Sequence, residues 1–128
     1  MTSYFEQFGA HDFFAKFVDD FYEGVASDPL LRPMYPEGDL APAKKRLLMF
    51  LEQYWGGPTT YSDERGHPRL RMRHAPYQVG FAARDAWLSH MRHALNQQDL
   101  PEDLRSTLWD YLYTAANAMV NTRDDDVI

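Results

Sequence analysis

Histidine is the residue type in this chain best suited to acid–base work or to holding a metal, and there are five: His11, His67, His74, His90 and His93. His90 and His93 stand three apart in a segment of helical character, a spacing at which two imidazoles can share an ion. No acidic neighbour or third histidine completes such a set, and the H-E-x-x-H pattern is absent, so a solvated helix face is the better reading. His11, near a helix start, and His67, before a proline, read as surface residues. His74 differs. It lies in Arg71-Met72-Arg73-His74-Ala75-Pro76-Tyr77, at the end of an irregular stretch and just before a proline break. That setting can turn one imidazole inward while the arginines stay at a rim. Taken alone, a surface or satisfied core histidine fits the same residues.

Three aromatic residues carry a polar handle into apolar surroundings. Tyr22 follows Phe21 on an apolar stripe, Tyr35 lies in the corner after it, and Trp87 sits on the inner face of a later helix. They are either core aromatics bonded to backbone or donors converging on one ligand, and spacing does not choose between these. No G-x-S-x-G, G-x-G-x-x-G or P-loop pattern supports a hydrolase or a nucleotide site.

Composition narrows the chemistry further. No cysteine is present, which removes disulfides, thiolate catalysis, iron–sulfur clusters and thiolate-ligated or covalent c-type haem. The net charge of −6 argues against a nucleic-acid partner. Yet Lys44, Lys45, Arg46, Arg65, Arg69, Arg71 and Arg73 concentrate seven of the thirteen basic residues within thirty positions. That is either a solvated face or a cradle for an anion. Met1 to Phe8 show no basic-then-apolar leader pattern, and no apolar run approaches the ~20 residues of a membrane span. A soluble, cytoplasmic protein is expected.

The elements that must position these residues are helices. Eight prolines punctuate the chain. From about Asp12 to Ser27, Phe14, Phe17, Val18, Phe21, Tyr22 and Val25 follow the i, i+3, i+4, i+7 spacing, and Asp28-Pro29 ends the run. Pro29 to Tyr35 has room for one short turn. A second helix, about Pro42 to Tyr54, places Ala43, Leu47, Phe50, Leu51 and Tyr54 on one stripe before Trp55-Gly56-Gly57-Pro58. Thr59 to Tyr77 lacks periodicity, and irregular stretches of that length are usually functional or disordered. The third helix covers about Phe81 to Asn96, with Trp87, Met91, Ala94 and Leu95 apolar. The fourth begins after Pro101 and runs through Leu104, Leu108, Tyr111, Leu112, Ala115, Met119 and Val120 to about Asn121. No strand alternation appears. The fold class is all-α, one domain over residues 1–128, with 122–128 a solvated acidic tail.

From about Phe5 to Val120 the chain resembles the truncated haemoglobins of group II. The most specific pieces are Phe21-Tyr22, Met34-Tyr35-Pro36, Arg46 through Pro58, Gly66 through Pro76, and Arg84-Asp85-Ala86-Trp87-Leu88. The resemblance implies a two-over-two helical sandwich around haem. It makes His74 the proximal iron ligand and Tyr22, Tyr35 and Trp87 the polar distal residues. Ala43 takes the place where many globins keep a distal histidine or glutamine, with Leu47 one turn on. Phe50 packs on the porphyrin, Met72 is a further haem contact, and Arg46, Tyr54, Tyr61 and Arg71 are candidates for the propionate rim. One departure is Gly9-Ala10, where the family often has Gly-Gly, and Ala tolerates fewer backbone conformations.

A cysteine-free chain holds haem by His, Met or Tyr ligation plus packing, as haem b, and Arg binds propionates well. The function expected is binding of oxygen and other diatomic ligands with slow oxygen release. The alternative is a haem redox enzyme of peroxidase or nitric oxide dioxygenase type, for which a reductase is the expected partner. The sequence leaves a homodimer open.

Overall fold

The computed structural model describes residues 2–35, 38–69 and 79–121. The described residues form six α-helices: α1 (Tyr4–Phe8), α2 (Ala10–Ala26), α3 (Ala41–Tyr54), α4 (Thr60–Arg65), α5 (Phe81–Asn96) and α6 (Glu102–Met119). A 3₁₀ turn, Arg32–Met34, sits in the corner after α2. None of these helices is long and apolar enough to cross a membrane.

The periodic apolar positions become the core. Phe14, Phe17, Val18, Phe21 and Val25 of α2 are fully or almost fully buried, and so are Met91, Ala94 and Leu95 of α5 and Leu108 and Leu112 of α6. α2 packs on both α3 and α5, and α5 packs on α6, giving two helix pairs laid one over the other. This is the two-over-two arrangement expected. Pro42 lies in the first turn of α3, where its missing N–H costs nothing, and Pro101 immediately precedes α6.

Two short helices were not foreseen. α1 begins with Ser3, whose hydroxyl accepts from the Glu6 N–H at 3.2 Å. α4 falls in the stretch expected to be irregular. Gln53 clamps it to α3, donating from Nε2 to Ser62 Oγ at 2.7 Å and accepting from the Ser62 N–H at 2.9 Å.

His90 corrects the reading of a solvated face. His93 is exposed as expected, but His90 turns toward α2, with Nε2 2.6 Å from Asp28 Oδ2. The ring lies so close to Gly24 that a Cβ there would collide with it. Glycine is what lets α5 approach α2 at this point. His11 is exposed, but its Nδ1 sits 3.0 Å from the buried carboxylate of Glu52.

The departure at Gly9-Ala10 also has a structural consequence. Gly9 has φ 122° and Ala10 has φ 58°, so an alanine occupies the left-handed region where glycine is favoured.

Candidate functional site

A cavity of about 490 Å³ lies between the helix pairs. Its walls come from the inner faces of every long helix. From α3 come Ala43, Arg46, Leu47 and Phe50, successive turns of one stripe. Ala83, Arg84 and Trp87 enter from α5, and Tyr111, Ala115 and Met119 from α6 at i, i+4, i+8. Tyr22 of α2, Tyr35 of the corner, and Tyr61 and Arg65 of α4 add to the lining. The volume lies within the roughly 300–1,000 Å³ typical of pockets for organic ligands.

Small residues make the room. Ala43, Ala83, Ala115 and Ala116 line the cavity where bulkier side chains would fill it. Leu47, Phe50 and Trp87 lie on apolar faces yet are only half-buried, because each looks into the cavity instead of into packed protein.

The polar groups fall into two sets. On one side Tyr22 Oη donates to the Ala43 carbonyl at 3.4 Å. Its ring meets Tyr35 edge-on at 5.6 Å between centroids, and the two hydroxyls are hydrogen-bonded to each other. Burial pushes the Tyr35 phenol above its ordinary range, opposed by the Tyr22 hydrogen bond and the Arg46 charge, so it keeps its proton at neutral pH. Trp87 packs edge-on against Phe21 at 5.7 Å, and its Nε1–H has no hydrogen-bond acceptor among the described residues.

The second set is cationic. Among the described residues, Arg46, Arg65 and Arg84 line the cavity and no carboxylate does. Arg65 stands over the Tyr61 ring at 5.8 Å. Arg84 is held by Asp85 at 2.9 Å, donates to Asn117 Oδ1 at 3.1 Å, and lies over the Phe81 ring at 4.7 Å. Among the described residues no group of His, Asp or Glu could hold a bare metal ion.

A sequence model of bacterial-like globins matches residues 3–121. A group 2 truncated hemoglobin of Bacillus subtilis is 44% identical over 107 residues, 84% of this chain and 80% of that protein. The chain belongs to the truncated haemoglobins of group II. Among solved structures, a thermostable hemoglobin from Thermobifida fusca superposes with a TM-score of 0.92 at 57% identity, covering 94% of this chain and 98% of that one. A truncated oxygen-avid haemoglobin from Bacillus subtilis gives 0.88 at 40% identity, covering 94% and 100%.

Globins bind haem, and the cavity of this truncated haemoglobin fits one. Among the described residues its walls are largely apolar and aromatic and its charged groups are arginines, and it lies between the helix pairs. Such a space suits a flat apolar group carrying carboxylates.

Most of the anticipated site residues meet there. Tyr22, Tyr35, Ala43, Arg46, Leu47, Phe50, Tyr61 and Trp87 all line the one cavity. Tyr54 is not among the lining residues. As the last residue of α3 it is 52% exposed, with its ring on Tyr111 at 4.1 Å between centroids. His74, Arg71 and Met72 lie outside the described residues. Arg84, Tyr111, Ala115 and Met119 line the cavity without having been named as site residues, and Arg65 was foreseen only as part of the basic cluster. The α6 residues share one stripe and were legible as apolar, but core and cavity wall look alike in sequence.

Proposed function

We propose that this truncated haemoglobin holds haem b through His74 and binds oxygen and related diatomic ligands with slow release. Bound haem supplies an iron centre at which a diatomic ligand associates reversibly. Phe50 and Leu47 would pack against the macrocycle, with Arg46 and Arg65 toward its carboxylates; Arg71 and Met72 belong to the same reading. Ala43, small and apolar, leaves no side chain at its position to swing in and out as a gate.

The observation that carries the reading is the Trp87 indole, a donor in the cavity wall with no acceptor among the described residues. Once haem fills the cavity, a bound ligand would supply the acceptor this donor lacks. Tyr35 and Tyr22 hold further protons at the same cavity, that of Tyr22 directed at the Ala43 carbonyl. A ligand that gains negative charge on binding would draw on all three. The description of the Bacillus subtilis relative as oxygen-avid agrees with this. The setting assumed is cytoplasmic, with a reductase to keep the iron ferrous.

The test is an absorption spectrum of the haem-reconstituted protein, ferric and then ferrous under air, beside His74→Ala. A sharp Soret band and a persistent oxygenated spectrum, both lost in the variant, are expected. A Soret band unchanged by His74→Ala would remove His74 from its role.

A further inference from the structure

The tyrosine at the corner of the cavity owes its place to polar ties and not to a helix. Tyr35 follows the 3₁₀ turn with φ −107° and ψ 101°, outside any helical ladder. One residue holds its backbone from both sides. The Arg32 carbonyl accepts from the Tyr35 N–H at 3.1 Å, and Arg32 Nη1 donates to the Tyr35 carbonyl at 2.8 Å. The second arm of the guanidinium, Nη2, donates to the Gly38 carbonyl at 3.1 Å. Bridging two carbonyls in this way takes the planar fork of arginine, which lysine lacks.

Upstream, the corner is tied in turn to α5. Asp28 Oδ1 accepts from the Leu30 N–H at 2.8 Å and the Leu31 N–H at 3.4 Å, and the Asp28 carbonyl accepts from the Arg32 N–H at 2.9 Å. The other carboxylate oxygen, Oδ2, lies 2.6 Å from His90 Nε2. His90 stands three residues after Trp87 on α5, a spacing that puts both on one side of the helix. Asp28 therefore joins the segment that carries Tyr35 to the helix that carries Trp87.

We propose that Arg32 and the Asp28–His90 pair are positioning residues, which fix Tyr35 relative to Trp87 so that one bound ligand meets both donors. The inference rests on the haem reading, in which those two side chains face the ligand. Asp28, Arg32 and His90 do not line the cavity, so each acts through the donors and not on the ligand. A hydrogen bond weakens steeply once the heavy atoms part beyond about 3.2 Å or the angle falls below about 120°. A displacement of the corner by about 1 Å is enough to take the Tyr35 hydroxyl out of reach while Trp87 stays. Both donors together favour oxygen over carbon monoxide, since bound oxygen gains the more negative charge.

A second arginine provides the control. Arg105 donates to the Leu95, Gln98 and Leu100 carbonyls where α5 ends, and none of these residues lines the cavity. Arg32→Met and Arg105→Met are compared in the haem-reconstituted protein. The readouts are the oxygen off-rate, the C–O stretch of the carbon monoxide complex and hydrogen exchange of the Tyr35 amide. Arg32→Met should release oxygen up to about tenfold faster, with the C–O stretch at higher frequency and the Tyr35 amide exchanging sooner. Arg105→Met should lower the urea midpoint and leave all three unchanged. His90→Ala should follow Arg32→Met in off-rate and stretch, and His90→Gln, which keeps an N–H for Asp28, should lie closer to wild type. An unchanged off-rate or stretch in Arg32→Met or His90→Ala would overturn the proposal. So would equal changes in Arg105→Met, which would reduce the effect to general loosening. Where Arg32→Met does not fold, Arg32→Lys, with its charge kept and one carbonyl in reach, decides by the same measurements. Failure of the wild type to bind haem would instead overturn the haem reading, and this inference with it.

Discussion

Replacing Trp87 by Phe removes a cavity donor that has no acceptor in the described protein. Phe keeps an aromatic ring against Phe21, now at 5.7 Å, and removes the N–H. Because Nε1 gives up no internal hydrogen bond to reach a ligand, the full value of the new bond appears in the ligand's retention. A hydrogen bond to a group bearing charge contributes roughly 1.5–3 kcal/mol, or about one to two orders of magnitude in a dissociation rate. Trp87→Phe should therefore speed oxygen release by about that factor. The assay is stopped-flow displacement of oxygen from the ferrous protein by excess carbon monoxide, with haem content measured alongside. Carbon monoxide dissociation is the companion measurement, because that ligand gains less negative charge and depends less on a donor. An unchanged oxygen off-rate would refute the reasoning. Equal acceleration of both ligands would also refute it, since widening the cavity affects them alike.

Tyr22→Phe should raise the oxygen off-rate less than Trp87→Phe, because the Tyr22 hydroxyl already has the Ala43 carbonyl as an acceptor and gives up that bond to reach a ligand; the same stopped-flow experiment ranks the two. Gly24→Ala should destabilise the fold by up to about 2 kcal/mol, the overpacking cost less the helix-propensity gain, read from urea midpoints. The His90 ring cannot yield without breaking its 2.6 Å contact to Asp28. Ala10→Gly should stabilise by up to about 1 kcal/mol, relief of the left-handed alanine outweighing the added flexibility of the unfolded chain. The Asp28 carboxyl is held below its ordinary range, chiefly by the hydrogen bond with His90 and then by the Leu30 N–H. Its contribution is thus present above the ordinary carboxylate value and lost as pH falls through the lower folded value. Urea midpoints of wild type and Asp28→Asn should accordingly converge in acid; a gap that stays constant with pH would count against it.

How much of this was legible in sequence depended on length and on what each face meets. The stripes of α2, α5 and α6 run for several turns, so their period stands out and their core residues were foreseen. α1 and α4 have five and six residues, too few to show a period, and both owe their position to contacts. For α4 the contact is Gln53 on Ser62, nine residues away. His90 was misread because its partner, Asp28, lies 62 residues back and the room for its ring comes from Gly24. Such a pairing leaves no local pattern. Tyr54 sits on the stripe of α3 by spacing, but the helix ends there, and the side chain turns to Tyr111 instead of the cavity.

The cavity decides between the two readings that composition left open, a packed core with solvated charges and a ligand site. A chain with 15% aromatics and a concentrated basic patch could simply pack the rings and solvate the charges. Here the rings are parted by alanines at positions 43, 83, 115 and 116, so Phe50 and Trp87 stay half-buried on faces that would otherwise close. Leaving such surface uncovered costs about 25 cal/mol for each Å² of apolar area not removed from water. Filling the gap with larger residues at the alanines would recover that stability in the empty protein and obstruct haem. Ala83→Leu is the sharpest form of the argument. It should raise the thermal stability of the haem-free protein while lowering haem affinity, and calorimetry of both forms would show the two moving in opposite directions. A variant that lost stability in the haem-free form would mean the walls already meet, and that the alanines serve helix packing instead of the cofactor.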